Sequence, residues 1–259
     1  MLEKIFESHA HFDDEAFDAD RTNLLKSLHE NNIERIINVG ASVASTKRTI
    51  ELMNNYDFIY GALGIHPSEC GDLTEDDIVW IKNEAANEKC CAIDEIGLDY
   101  YWKEPDKDIQ KKWFIRQIDL AKELDLPVII HSRNAAKDTL DIMKAERADR
   151  LRGVIHCFSY PVEIAREYFN MGYYFGIGGV LTYPDAKKLK EVVKYLPLES
   201  ILLETDCPYL PPVPHRGERN HSGNLSIIAA ALAEIKNIDI ETVIKQTKEN
   251  AYKLFNKVK

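Results

Sequence analysis

A surplus of positive charge, a framework of paired cysteines and a membrane-length apolar run are all missing from this sequence, and each absence removes a class of protein. Lys and Arg number 33 against 43 Asp and Glu, a formal charge of −10 with histidine neutral. Such a body repels a phosphate backbone, so any nucleic-acid contact requires a local patch or bound cations. The five cysteines are odd in number, include the adjacent Cys90 and Cys91, and form no Cys-x-x-Cys pair. That excludes a disulfide scaffold and fits buried free thiols in a reducing compartment. No stretch approaches the roughly 18 apolar residues of a membrane span, and the opening residues carry no basic leader before an apolar segment, so a cytoplasmic protein is expected. Low-complexity segments and internal repeats are lacking too. With 45% hydrophobic and 29% charged residues, disorder is excluded and a core of normal size is available.

What is present is alternation. Eight short apolar or β-branched runs recur between longer helical stretches: Ile5 to His9, Arg35 to Val39, Ile59 to Ile65, Cys91 to Glu95, Pro127 to His131, Val154 to Cys157, Tyr173 to Ile177 and Ile201 to Asp206. Runs such as Val128-Ile129-Ile130 and Ile201-Leu202-Leu203 suit strands of a parallel sheet covered on both faces. The clearest helix spans Asp106 to Leu124, where Ile109, Trp113, Phe114, Ile118, Ala121 and Leu124 recur at three- and four-residue steps. Thr74, ahead of Asp76 and Asp77, and Pro161 mark further helix starts. Eight such β/α units without a linker predict an α/β fold, a single (β/α)₈ TIM barrel over residues 1–259. An open doubly wound sheet is the alternative. The stretch from Cys207 to Asn224 follows neither period and is long for a connection, as functional loops are.

Polar residues with chemistry gather at the downstream ends of these runs: His9 and His11, His66, Glu95, His131, His156 and Asp206. In a barrel those ends converge on one rim. His9 and His11, two apart on an extended strand, face one side and can chelate one ion. Apart from His66, the four imidazoles of His9, His11, His131 and His156 and the two carboxylates exceed the needs of one tetrahedral ion. Two divalent ions bridged by a carboxylate are expected, with Glu95 and Asp206 as the anionic ligands. Nitrogen-rich ligation favours zinc, manganese or iron over magnesium. His29 reads as an ordinary helix residue, and His215 and His221 belong to the long loop.

In sequence order, Ser8-His9-Ala10-His11-Phe12-Asp13, Gly64-Ile65-His66-Pro67, Glu95-Ile96-Gly97-Leu98-Asp99-Tyr100, Pro127 to Arg133, His156-Cys157-Phe158-Ser159 and Glu204 to Leu210 resemble the motifs of the TatD-type metal-dependent deoxyribonucleases, a branch of the amidohydrolase-like barrels. The resemblance covers nearly the whole chain. It implies that His9, His11, Glu95 and Asp206 hold one metal and Glu95, His131 and His156 the other. It also implies phosphodiester hydrolysis, with 3′ to 5′ exonuclease action on single-stranded DNA, and magnesium-dependent activity. Asp206 would accept the nucleophile's proton, with Glu95 as the second catalytic carboxylate. His66, Arg133 and, in the long loop, Arg216 and Arg219 are candidate substrate-binding residues. Tyr100, Tyr101, Trp102 and Tyr183 are candidate base-stacking residues, and Glu204 is expected to face inward as a support. The alternative is an amide or ester hydrolase such as a D-aminoacyl-tRNA deacylase, although Glu95 stands where classical amidohydrolases carry a modified lysine. Three departures from the family pattern bear on the site. Asp94 replaces a common glycine and is expected to add negative charge. Glu218 replaces a common basic residue and would repel phosphate unless Arg216 or Arg219 neutralises it. His221-Ser222 replace the usual Glu-Pro.

Overall fold

Eight strands, each followed by at least one helix, run in the order β1 (Ile5–Ala10), α1 (Arg21–Asn31), β2 (Ile33–Val39), α2 (Val43–Asn55), β3 (Ile59–Leu63), α3 (Glu75–Glu84), β4 (Cys90–Asp99), α4 (Lys107–Leu124), β5 (Val128–Arg133), α5 (Ala136–Ala145), β6 (Gly153–Ile155), α6 (Val162–Asn170), β7 (Tyr174–Ile177), α7 (Lys187–Tyr195), β8 (Ile201–Leu203), α8 (Leu225–Lys236) and α9 (Ile240–Leu254). The structure, a computed structural model, describes residues 3–259. Neighbours in sequence pair in parallel from β1 to β8, the arrangement of a TIM barrel rather than an open doubly wound sheet. The circle closes without a regular ladder between β8 and β1. Asp206 N–H bonds the His9 carbonyl at 3.0 Å and His11 N–H bonds the Cys207 carbonyl at 2.8 Å. Below them the Ser8 hydroxyl bonds the Leu203 carbonyl at 2.9 Å. The buried Glu7 carboxylate accepts the Thr205 N–H and hydroxyl at 2.9 and 2.6 Å.

The barrel interior is apolar at its lower end. Phe6, Ile37, Tyr60, Cys91, Ile129, Val154 and Leu202 form one cluster with Leu254 and Phe255 from the end of α9, and Phe255 stacks on Phe6 at 6.2 Å. That helix plugs the bottom, leaving the C-terminal strand ends as the open face. All five cysteines are free thiols. Among the described residues, no helix is long and apolar enough to cross a membrane.

Most elements form where the pattern placed them. Thr74 and Asp77 make a reciprocal capping box at the start of α3, and Asp106 caps α4 by accepting the Asp108 N–H. Pro161 sits just before α6 rather than inside it, a one-residue difference of the usual size. In α4, Ile109 is 38% exposed and Gln110 takes the buried place beside it. Strand β4 continues to Asp99. By contrast β6 and β8 stop early, because His156-Cys157 and Glu204 to Asp206 turn off the ladder into the cavity, with Cys157 and Asp206 in the left-handed region at φ 45° and 57°.

Candidate metal centre

The six strand-end residues meet at the open face. His9 and His11 come from β1 and the turn after it, Glu95 from β4, His131 from β5, and His156 and Asp206 from the segments after β6 and β8. His9, His11, Glu95 and His156 are buried. A cavity of about 810 Å³ above them is lined by His11, Glu95, His131, His156 and Asp206, with Arg48, His66, Trp102 and Arg133 on its walls. The glycine of Glu95-Ile96-Gly97 has a local reason. At φ 148° its missing Cβ would lie 1.9 Å from the His131 carbonyl oxygen, so only glycine lets β5 approach and carry His131 to Glu95.

Hydrogen bonding decides which nitrogen of the His11 and His131 rings faces the cluster. His11 Nδ1 lies 3.2 Å from the Val39 carbonyl, which only accepts, so Nδ1 carries the proton and Nε2 offers its lone pair. That Nε2 stands 3.3 Å from Asp206 Oδ1 and 3.7 Å from Glu95 Oε2. His131 Nε2 donates to Asp99 Oδ2 at 3.1 Å, which leaves Nδ1 as the lone pair, 3.1 Å from Glu95 Oε1. His156 Nε2 stands 2.9 Å from the same oxygen and 3.0 Å from His131 Nδ1. His9 Nε2 faces His11 Nε2 at 3.2 Å and Asp206 Oδ1 at 3.5 Å. Two pairs of ring nitrogens therefore meet at contact distance, and Glu95 gives one oxygen to each pair. Facing lone pairs repel unless a cation or a shared proton lies between them.

The electrostatics agree. Burial depresses the His11 imidazole, but Asp206 and Glu95 override it and lift its pKa to about 10. His131, also depressed by burial, is lifted to about 9 by Asp99 and Glu95. Against the burial that would raise it, Glu95 is held well below the usual carboxylate range by His156, His66 and His131. The carboxylates that raise these proton affinities would hold a divalent cation in the proton's place. The residues present thus fit divalent metal ions: the donor atoms of His9, His11 and Asp206 lie within 4.8 Å of one another, as do those of His9, Glu95 and His156 and those of His66, Asp99 and His131.

Support comes from groups that sequence reasoning left without a role. Asp99, inside the quoted motif, fixes the His131 ring, and Gln110 of α4 clamps the Asp99 backbone on both sides at 2.9 and 3.1 Å. Gln117, two turns on, does the same for Ile65, ahead of His66. Asp13 is held by Asn38 and Ser45. Glu204 faces inward as expected. Gly176 leaves it room, since a Cβ there would lie 2.0 Å from Oε2, and its Oε1 accepts the Cys157 N–H at 2.5 Å. Burial, then the charge of Asp206, pushes its pKa well above the usual range.

Several expectations change on inspection. Asp94 is fully buried and neither of its oxygens has a hydrogen-bond partner, and burial followed by the Glu95 charge raises its pKa well above the usual carboxylate range, against the expected added negative charge. Arg219 does not reach the cavity wall. It forms a two-pronged pair with Asp20 at 2.8 and 2.6 Å and bonds the Ala16 carbonyl. Arg216 lies over the Tyr183 ring at 4.0 Å, outside the cavity lining. The partner of Glu218 is His215, at 2.9 Å, not either arginine. His221 accepts the Gly223 N–H. Asn220 pins the long loop by bonding the Thr205 and Tyr209 carbonyls at 2.9 and 2.7 Å. His66 does line the cavity. Ser68 N–H donates to its Nδ1 at 3.0 Å, and burial next to His131 lowers its pKa to about 3, so it is neutral and turns an Nε2–H donor inward.

Comparison with known proteins agrees with this frame. A family model described as TatD related DNase matches residues 6–256. The chain is 44% identical over 251 residues to the uncharacterized metal-dependent hydrolase YabD of Bacillus subtilis, covering 97% of this chain and 98% of that one. It is 31% identical over 267 residues to the putative deoxyribonuclease TATDN3 of Mus musculus, covering 98% and 89%. The crystal structure of YjjV, a TatD homolog from Escherichia coli, superposes with a TM-score of 0.92 over 99% of both chains at 31% identity. The chain therefore belongs to the TatD family and is a metal-dependent hydrolase.

Proposed function

We propose that this protein is a nuclease that hydrolyses phosphodiester bonds of single-stranded DNA from a free 3′ end, acting in the cytoplasm. The observation that carries the reading is the position of Glu95, whose Oε1 stands 3.1 and 2.9 Å from His131 Nδ1 and His156 Nε2 while its Oε2 faces His11 Nε2 at 3.7 Å, an arrangement that suits a two-ion phosphoesterase. His9, His11, Glu95 and Asp206 would hold one ion and Glu95, His131 and His156 the other, with zinc, manganese and magnesium as the candidates. When bound, such ions supply Lewis acidity and make water a stronger acid.

The chain's own groups do the rest. Asp206 is the least buried carboxylate of the set and opens onto the cavity, which suits it to take the proton of an attacking water as the new P–O bond forms and the bond to the leaving oxygen breaks. The His66 Nε2–H points at the same space and suits a phosphoryl oxygen. Among the described residues no carboxylate pairs with Arg133, so its guanidinium is left for the phosphate. Burial of Glu95 keeps its charge in a medium where it acts strongly.

Asp206→Ala is expected to lower turnover of a short single-stranded oligonucleotide by about 100-fold or more, measured with saturating zinc, manganese or magnesium in turn. Full metal-dependent turnover in that variant would remove Asp206 from the chemistry. The wild type assayed in parallel on D-aminoacyl-tRNA and simple esters decides between the phosphodiester and acyl readings, the former predicting cleavage of the diester alone.

A further inference from the structure

Four aromatic residues stand near the rim, and their surroundings separate them. The Tyr100 hydroxyl donates to Asp138 Oδ2 at 2.8 Å and its ring lies under Lys107 at 4.3 Å. Tyr183 donates to the Pro211 carbonyl and is covered by Arg216. The face of Tyr101 is taken by the Arg133 guanidinium at 3.9 Å. Trp102 alone of the four lines the cavity. It is 53% exposed and meets Tyr101 in a T-shaped contact, with centroids 5.0 Å apart at 86°, which covers at most one of its faces.

The segment that carries it is anchored rather than loose. Tyr101 N–H donates to Asp99 Oδ1 at 2.9 Å, and Oδ2 of the same carboxylate holds His131. One buried group thus fixes the distance between the metal cluster and the aromatic rim. In the other direction, the Arg133 guanidinium lies over the Tyr101 ring at 3.9 Å, and among the described residues no carboxylate forms an ion pair with it. The Arg133 guanidinium and the exposed Trp102 indole both line the cavity, and the Tyr101 ring contacts each of them.

We propose that Trp102 is a specificity-determining residue: a stacking platform for a nucleobase flanking the phosphate held at Arg133, which makes the site select diesters that carry a planar base over base-free ones. This rests on the nuclease reading above. A planar π-face suits a purine or pyrimidine of any identity, so the preference concerns the presence of a base and not its sequence. The alternative role, packing the loop, would leave catalysis indifferent to whether a base is there.

The test uses the full-length protein and two short single-stranded oligonucleotides. They are identical except that one carries tetrahydrofuran (base-free) residues at its last three 3′ positions. Trp102→Ala is expected to raise KM for the normal oligonucleotide about tenfold with kcat unchanged, and to leave KM for the base-free one as in the wild type. Trp102→Phe should restore most of the difference. With zinc bound and a normal-base oligonucleotide whose phosphorothioate linkages resist cleavage, quenching of tryptophan fluorescence should be seen in the wild type and lost in Trp102→Phe. Equal KM changes on both substrates, or none on either, would overturn the proposal, as would quenching that persists in Trp102→Phe. If the wild type cleaves neither oligonucleotide with any metal, the nuclease reading fails, and the quenching measurement still decides whether Trp102 stacks on bases.

Discussion

Asp99 acts through a neighbour. Its carboxylate accepts from His131 Nε2 on one side and from the Tyr101 N–H on the other, and hydrogen bonds from His131 and the Tyr101 backbone hold its pKa below the usual range against the burial that would raise it. A ring so oriented presents Nδ1, and no other atom, to Glu95 and His156. Outer hydrogen bonds of this kind are worth about 10- to 100-fold in metal affinity. Asp99→Ala is therefore expected to weaken zinc or manganese binding to the metal-stripped protein by that factor, read by titration calorimetry. Unchanged affinity would show that the ring is held by packing alone. The same scale exposes the limits of motif reading. His9, His11, Glu95, His131, His156 and Asp206 could be singled out because ionisable groups at the ends of apolar strands need a reason to be there. Asp99 lay in the same motif but gave no separate signal, because its work depends on a tautomer that only the folded contact fixes.

At the scale of elements, the join between β8 and β1 is made by side chains where a ladder is missing, and Glu7 is its centre. Burial outweighs the bonds from Thr205 and His9 and raises the Glu7 pKa from 4.5 to about 7. Between those values the folded chain keeps a proton that the unfolded chain releases, so this group's contribution to stability is largest below 4.5 and is lost as pH rises through about 7. Glutamine copies the shape of the protonated acid without titrating, and its amide oxygen can still accept the Thr205 N–H. Glu7→Gln should accordingly lose less melting temperature than the wild type between about pH 5 and pH 8. Parallel melting curves for the two proteins would contradict the assignment. The eight strands were legible because burial on both faces writes them as unbroken apolar runs. The seam was not, since Glu7 and Thr205 are polar residues whose pairing spans nearly the whole chain. Nor were Gln110 and Gln117 legible, because buried glutamines look like the solvent face of α4 until the loops they clamp are folded over them.

For the molecule as a whole, a net charge of −10 and a cavity walled by carboxylates argue against holding a polyanion through long-range attraction. A few local groups, Arg133 and the bound cations chief among them, must carry the recognition, and this is why the account depends on the ions more than on any single residue. The barrel legible from eight alternations supplies one open face, the plug formed by α9 removes the other, and six side chains drawn from β1 to β8 gather there, five lining the cavity and His9 buried beside them. Whether they act as a two-ion centre is tested most directly by anomalous diffraction from crystals soaked in manganese or zinc. The account predicts two peaks on either side of the Glu95 carboxylate, one against His9, His11 and Asp206 and the other against His131 and His156. A single peak, none at saturating metal, or peaks held by other residues would contradict it.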